Sequence, residues 1–115
     1  MEHILKLQPE YFNYIQNGTK RIELRLYDEK RQKIQIGDSI IFKKEPDLDV
    51  SMEVKVVGLI RYDTFDKLIQ DFDIKLLADS SMSKEELLNA LQEFYTQDMQ
   101  KQYGVIGIRI EMLEE

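Results

Sequence analysis

The chain has 115 residues, of which 43% are hydrophobic and 33% are charged, and this composition excludes disorder and favours one folded domain spanning residues 1–115. The absence of cysteine excludes disulfides, thiolate metal sites and a thiol nucleophile. The formal net charge of -6 disfavours the tracking of a long polyanion, so a contact with nucleic acid has to come from a local patch or pocket.

The first third of the chain predicts two strands around one helix. A weak alternation predicts a strand at 3–7, and QPEYFNYIQNG predicts a helix with Pro9 in its first turn and Gly18 just past its end. The segment TKRIELRLY alternates with period two, which predicts a strand with two different faces. One face is apolar, and the other carries Arg21, Glu23, Arg25 and Tyr27.

Two further strands are predicted before the middle of the chain. The stretch DEKRQ is typical of a polar loop, and KIQI predicts a short extended piece. SIIFKK (39–44) predicts a buried strand, and SMEVKVVGLIRY (51–62) predicts the longest strand. Gly58 marks a bulge within it.

The second half of the chain shows helical spacing before a last strand. Thr64 predicts the cap of a helix in TFDKLIQDF, and a capping box from Ser83 to Glu86 predicts the start of another. TQDMQKQ predicts one further helical turn, and YGVIGIRI (103–110) predicts a strand whose glycines mark close packing or a bulge. This order of elements predicts an α+β fold, a small β-barrel with flanking helices. The buried stripe of the helix after Ser83 is predicted to be Leu87, Leu88, Leu91 and Phe94.

The most informative motif is Gly18-x-Lys20-x-x-Glu23-x-Arg25, which runs from a helix end into a strand. Glu23 and Arg25 share a face, so the carboxylate can orient the guanidinium and can still accept a proton. Lys20 stands at the start of the strand, from which its ammonium can reach the same cavity. Spacing alone leaves open the alternative that Arg21, Glu23 and Arg25 form the solvent-exposed face of an amphipathic strand.

With the stretches NGTKRIELRL and KIQIGDSIIF, the chain resembles the ASCH domain family, a relative of the PUA-like RNA-binding fold. The hallmark of that family is a G-x-K-x-x-E-x-R segment, then a short loop and a G-D turn, which is Gly37-Asp38 here. The opening stretch, VVGLIRYDTFDKLI and YGVIGIRI are also similar, so the resemblance covers nearly the whole chain. It implies a PUA-like β-barrel of about five to six strands with two to three flanking helices.

The resemblance also implies a cleft beside the motif strand that receives RNA or a modified nucleoside. On this basis Lys20 and Arg25 would contact a phosphate or a base carbonyl, and Glu23 would orient Arg25 or act as a base. Tyr27 could stack a base, and the cations Lys30, Arg31 and Lys33 would steer a phosphate toward the cleft.

One branch of the family hydrolyses 4-acetylcytidine with a lysine, a threonine three residues later and a distant glutamate. Lys20 matches the lysine, but Glu23 stands at the position of the threonine, which weakens this activity. Glu85 and Glu86 are candidates for the distant glutamate by proximity only. If the protein is an enzyme, an amidohydrolase or a ribonuclease, the predicted catalytic residues are Lys20 and Glu23.

Three functions remain open from the sequence. They are binding of RNA or a modified nucleoside, hydrolysis in the same cleft, and protein interaction without a nucleic-acid role, which the acidic composition favours. His3 is the only histidine, so neither a metal site nor a cofactor is predicted. Without a signal-peptide pattern or roughly 18 consecutive apolar residues, a cytoplasmic protein with no membrane partner is predicted, and the oligomeric state stays open.

Overall fold

The computed structural model describes residues 1–113, so the last two residues of the predicted domain lie outside the described residues. Its strands are β1 (Glu2–Leu7), β2 (Ile22–Leu26), β3 (Ser39–Lys44), β4 (Ser51–Tyr62) and β5 (Val105–Met112). Its helices are α1 (Pro9–Gln16), α2 (Glu29–Gln32), α3 (Phe65–Gln70), α4 (Ile74–Leu77), α5 (Lys84–Phe94) and α6 (Gln97–Tyr103).

Within the described residues, the strands form one sheet of five in the order β1-β3-β4-β5-β2. β1 and β3 are parallel, and the other neighbouring pairs are antiparallel. The sheet curls into a half-barrel whose edge strands are β1 and β2. We call the gap between these two strands the seam.

The two faces of the sheet bury different cores, because successive side chains of a strand alternate between them. The face that we call the inner face carries an apolar cluster onto which α1 packs with Phe12 and Ile15. The outer face of β2 packs against α3, α4 and α5 in a second cluster. Members of the inner cluster include Leu5, Phe42, Val54, Ile106 and Ile108.

Strand β2 is buried along its whole length, although it is an edge strand. Its apolar residues belong to the cluster on the outer face. Glu23 pairs with Ile108, and Arg25 pairs with Ile106. Because paired residues on neighbouring strands share a face, Glu23 and Arg25 belong to the inner face, beside the seam. The predicted division of this strand into an apolar and a charged face is confirmed.

The predicted α+β fold, a small barrel of about five to six strands with flanking helices, is confirmed in the form of a five-stranded half-barrel, with six helices in the described residues instead of two to three. Several local features are confirmed as well. The register between β4 and β5 shifts at Gly58, as expected for a bulge. Thr64 caps α3 by accepting from the backbone N–H of Lys67. Ser83 and Glu86 form both hydrogen bonds of the capping box at the start of α5.

Three local predictions are wrong. DEKRQ is not a loop but the short helix α2, because the Asp28 side chain accepts from the backbone N–H of Arg31 and caps it. KIQI turns instead of extending, since the N–H of Ile34 bonds to the carbonyl of Arg31. Phe94 is not buried in the helix stripe: it is 57% exposed, because α5 ends there beside a cleft.

Helix α4 was not predicted, and it begins at a capping aspartate, Asp73, whose side chain accepts from the backbone N–H of Lys75. No helix within residues 1–113 is long and apolar enough to span a membrane. Cytoplasmic location stays a prediction.

Gly107 is predicted to be a position where any side chain destabilises the fold. A Cβ atom there would lie 3.1 Å from Cγ2 of Ile22 and 3.3 Å from Cδ1 of Leu68, which are both buried. We expect Gly107→Val to lower the free energy of unfolding by about 1–3 kcal/mol, because overpacking forces these neighbours to shift. Glu111→Val, at an exposed position on the same strand, is the control. Equal urea midpoints for the two variants would contradict the tight packing at Gly107.

Asp38 is predicted to make stability depend on pH in the acid range. His3 Nε2 lies 2.8 Å from the carboxylate of Asp38, and the backbone N–H of Gln35 donates to the same carboxylate. These hydrogen bonds lower the pKa of Asp38 from 3.8 to about 2. A lowered pKa contributes stability that is complete above about pH 4 and is lost as the pH falls toward 2. Asp38→Asn should therefore be less stable than the parent at pH 7, with a difference that shrinks below pH 4 in urea unfolding. A difference that does not change with pH would rule this out.

Candidate functional site

A cleft of about 140 Å³ opens at the seam of the half-barrel. Four parts of the chain line it: the end of β1 with the start of α1, β2 with Lys20 just before it, Glu45 just after β3, and α5 from Leu87 onward. The motif residues Lys20, Glu23 and Arg25 lie together on the wall that β2 forms. The structure thus brings the three charged residues of the motif to one concavity.

Glu23 lies between two buried cations. Its Oε1 is 3.3 Å from Nζ of Lys20, and its Oε2 is 2.7 Å from Nη2 and 2.9 Å from Nε of Arg25. The backbone N–H of Leu24 also donates to Oε1. Glu23 is 4% exposed and Arg25 is 9% exposed. The alternative of a solvent-exposed face is therefore wrong for Glu23 and Arg25, whereas Arg21 is exposed as that alternative expects.

Lys20 is held by backbone carbonyls as well as by Glu23. Its Nζ donates to the carbonyl of Leu77 at 2.6 Å and to that of Ile22 at 2.7 Å. Leu77 is the last residue of α4, where the carbonyls of a helix carry partial negative charge and favour a cation. Two hydrogen bonds and the ion pair with Glu23 thus hold the ammonium. Lys20 is consequently fixed in place and joins α4 to β2.

Arg25 connects the two edge strands. Its Nη2 donates to the carbonyl of Lys6 on β1 at 2.7 Å, and Glu23 holds the other side of the guanidinium. This bond crosses the seam where no strand pairing joins β1 to β2. Within the described residues Nη1 of Arg25 makes no hydrogen bond. Arg25 therefore has donors left for a ligand in the cleft.

The charges of the cluster stabilise one another against the cost of burial. Burial raises the pKa of Glu23, but the charges of Arg25 and Lys20 outweigh this and hold the pKa below its ordinary value. Burial alone would lower the pKa of Arg25, but the charge of Glu23 outweighs burial and raises that pKa. For Lys20 burial has the larger effect, so the pKa of Lys20 is lowered. A carboxylate with a lowered pKa is a weak base. The arrangement therefore favours Glu23 as the residue that orients Arg25.

The remaining walls of the cleft are mostly apolar and aromatic. Tyr11 stands on α1, and Phe94 and Tyr95 stand at the end of α5. Burial raises the pKa of Tyr11 to about 12, so its hydroxyl stays protonated at neutral pH. None of these aromatic residues was predicted to be part of the site. Phe94 was assigned to a buried stripe by its spacing, and only the end of the helix at the cleft shows its exposure.

The cleft leaves out part of the predicted set. Tyr27 follows β2 on the face of Arg25, and its ring lies beneath the guanidinium of Arg61, at 3.9 Å from Cζ. Arg31 pairs with Asp28 at 2.8 Å. The roles of these residues in ligand binding stay predictions. The predicted residues that do not line the cleft are Tyr27, Lys30, Arg31 and Lys33.

The model of the ASCH domain matches residues 5–114 of the chain. The chain belongs to the ASCH domain family. The predicted membership is thus confirmed, and the ASCH match includes the motif strand and every wall of the cleft.

Solved structures similar to this ASCH domain support the fold. The hypothetical protein PH0355 has a TM-score of 0.87 and 37% identity, over 98% of this chain and 100% of that chain. PF0455 from Pyrococcus furiosus has a TM-score of 0.78 and 34% identity, over the full length of both chains. A serine-to-alanine mutant of the Zymomonas mobilis ASCH protein has a TM-score of 0.61 and 12% identity, over 96% of this chain and 67% of that chain. At this low identity the similarity supports the fold and nothing further. Among proteins with curated descriptions, none matches.

Glu23→Gln is predicted to destabilise the ASCH domain strongly, because it leaves Lys20 and Arg25 buried without their counter-charge. The expected loss is about 3–5 kcal/mol in the free energy of unfolding. Asp63→Asn is the control, since it breaks the exposed ion pair with Lys67 and should cost less than about 1 kcal/mol. Similar losses in chemical denaturation for the two variants would contradict the role of Glu23 as the central counter-charge.

Proposed function

We propose that the cleft binds a single base, either within RNA or in a modified nucleoside. The observation that carries this proposal is the position of Arg25, a buried guanidinium held by Glu23 that keeps donors for the interior of an aromatic cleft. Aromatic side chains can stack a base, and a fixed guanidinium can bind its carbonyl edge. The family membership supports the same class of ligand, because the ASCH fold is related to RNA-binding folds.

The size of the cleft supports one ring as its occupant. A hydrophobic cavity of roughly 150 Å³ holds one benzene molecule, and this cleft measures about 140 Å³. Sites for whole drug-sized ligands are several times larger, at roughly 300–1,000 Å³. A base therefore fits inside, while the sugar and any phosphate would lie at the mouth of the cleft.

The charge of the site supports a carbonyl or an anion as the group that is recognised. Glu23 neutralises one of its two cationic neighbours, so the cluster keeps a single net positive charge. Lys6 and Glu45 also line the cleft and offset each other in charge, and Gln8 adds a side-chain amide. A base that has both a carbonyl and an N–H group on one edge would find an acceptor and donors here.

Hydrolysis in the same cleft is the second candidate, and the lowered pKa of Lys20 is the observation that favours it. Two observations count against it: the carbonyls of Ile22 and Leu77 occupy the ammonium, and Glu23 is a weak base. Glu86 is occupied by the capping box, and Glu85 does not line the cleft. Incubation with 4-acetylcytidine and with RNA tests both the amidohydrolase and the ribonuclease. If the parent protein turns over one of these substrates and Lys20→Ala does not, the protein is an enzyme that depends on Lys20.

Phe94→Ala is predicted to weaken the binding of nucleosides and RNA by a factor of roughly 5 to 150, since a stacked base loses about 1–3 kcal/mol when its aromatic partner is removed. The measurement is titration calorimetry with modified nucleosides and short RNAs that shift the melting temperature of the parent. Because Phe94 is 57% exposed, the variant should fold as the parent does.

Ile36→Ala is the matched control, because Ile36 is an apolar residue that is 66% exposed and does not line the cleft. It should leave the affinity unchanged. If neither nucleosides nor RNA bind the parent, the proposed function fails, and the interpretation as a protein-interaction module gains support. An equal loss for both variants would place the ligand elsewhere.

A further inference from the structure

The cleft does not account for the basic segment that follows the motif strand. This segment runs from Tyr27 through α2 to Lys33 and carries three cations and two carboxylates, in a protein of net charge -6. Asp28 is both the cap of α2 and the partner of Arg31. Lys30 and Lys33 are exposed. The segment is therefore a locally positive surface on an acidic protein.

Arg61 adds a fourth cation to this surface, on a different strand. Its guanidinium lies on the ring of Tyr27, with Cζ at 3.9 Å from the ring centroid. Arg61 is exposed, and within the described residues its nitrogens make neither a hydrogen bond nor an ion pair. Stacking on Tyr27 fixes the guanidinium plane, whereas its donors and its outer surface stay available.

The register of the sheet places Arg61 and Arg25 in one row. Arg61 pairs with Ile106 on β5, and Ile106 pairs with Arg25 on β2. These residues therefore share the inner face, and the two arginine Cα atoms are about 10 Å apart, which is two strand spacings. Tyr27 is two residues beyond Arg25, roughly 7 Å along the chain. A nucleotide joined to the one in the cleft can reach this distance.

Arg31 adds its charge to this surface. Its Nη1 lies 2.8 Å from the Asp28 carboxylate, and its Nε is buried without a hydrogen-bond partner within the described residues. A ligand cannot reach that buried nitrogen, so Arg31 would act on a phosphate through its charge, as Lys30 and Lys33 would.

We infer that Tyr27 and Arg61 form a second binding position, which takes the neighbouring nucleotide of a single-stranded nucleic acid whose base occupies the cleft. This inference rests on the proposed function of the cleft and narrows its ligand from a free nucleoside to a strand. The next base stacks on the outer surface of the Arg61 guanidinium, and the phosphate between the two nucleotides meets the cations of α2. A duplex is excluded as the partner because its bases are stacked on each other and its charge density opposes the acidic protein.

The experiment measures binding of a fluorescein-labelled random single-stranded RNA of about ten nucleotides by fluorescence anisotropy at several salt concentrations. Arg61→Gln should weaken binding roughly tenfold and reduce the salt slope by about one, because it removes both the stacking plane and a charge. Arg61→Lys should keep the salt slope but still lose affinity, because lysine has no plane on which a base can stack. A random single-stranded DNA of the same length is measured in parallel. Weaker binding of the DNA shows that the 2′-hydroxyl of RNA contributes to the affinity.

Arg109→Gln is the matched control, because it makes the same change of charge at another exposed arginine. Arg109 pairs with Ile22 and therefore belongs to the outer face of the sheet, whereas Arg61 belongs to the inner face. It should change neither the affinity nor the salt slope by as much as Arg61→Gln does. Circular dichroism and the melting temperature confirm the fold of each variant. Equal effects of the two substitutions, or tighter binding of the duplex than of the single strand, would overturn the inference.

Two results separate this inference from the proposed function of the cleft. If nucleosides bind and Phe94→Ala weakens them, but Arg61→Gln leaves RNA binding unchanged, the cleft is established and the second position fails. If Arg61→Gln weakens RNA binding while Phe94→Ala has no effect on RNA or nucleosides, the cleft fails and Tyr27 with Arg61 is the primary contact. If Arg61→Gln binds RNA more weakly but binds nucleosides as the parent does, both the cleft and the second position are supported.

Discussion

The carboxylate of Glu23 is the interaction on which the open side of this half-barrel depends. It lies between Lys20 and Arg25, which would otherwise be buried cations without a counter-charge. Each cation in turn bonds to a backbone carbonyl of another element: Lys20 to the end of α4 and Arg25 to β1. One carboxylate thus holds together an edge strand, a short helix and the opposite edge of the sheet.

The cleft follows from the same constraint. A closed barrel would pair β1 with β2 and would leave no space between them, whereas here a single side chain spans the seam. The rest of the gap is walled by α1 and α5, whose aromatic residues line the cleft. The charged cluster therefore combines its structural role with the binding role that we propose. Burial gives Arg25 a fixed direction, and fixed donors bind a planar ligand with little loss of conformational entropy.

The acidic net charge and the basic segment fit together when the ligand is short. In the proposed complex, the charges of Lys30, Lys33 and Arg61 would act over about one Debye length, roughly 8–10 Å, and would attract a phosphate of the ligand. Beyond that distance the negative charge of the remaining surface repels a long polyanion. The distribution favours a few nucleotides at one place over sliding along a duplex.

The sequence by itself determined the class of the fold and the composition of the charged cluster. Alternation in β2 separates apolar from charged residues, and the capping box at Ser83 marks the start of α5, because strand pleating and helix capping are local effects. Local rules also misled: Phe94 continues the spacing of a buried stripe, yet it stands at the rim of the cleft. Only the tertiary structure decided that Glu23 and Arg25 are buried, and that Arg61 lies on Tyr27. These contacts join segments far apart in the chain, and the register of the sheet and the open seam bring them together.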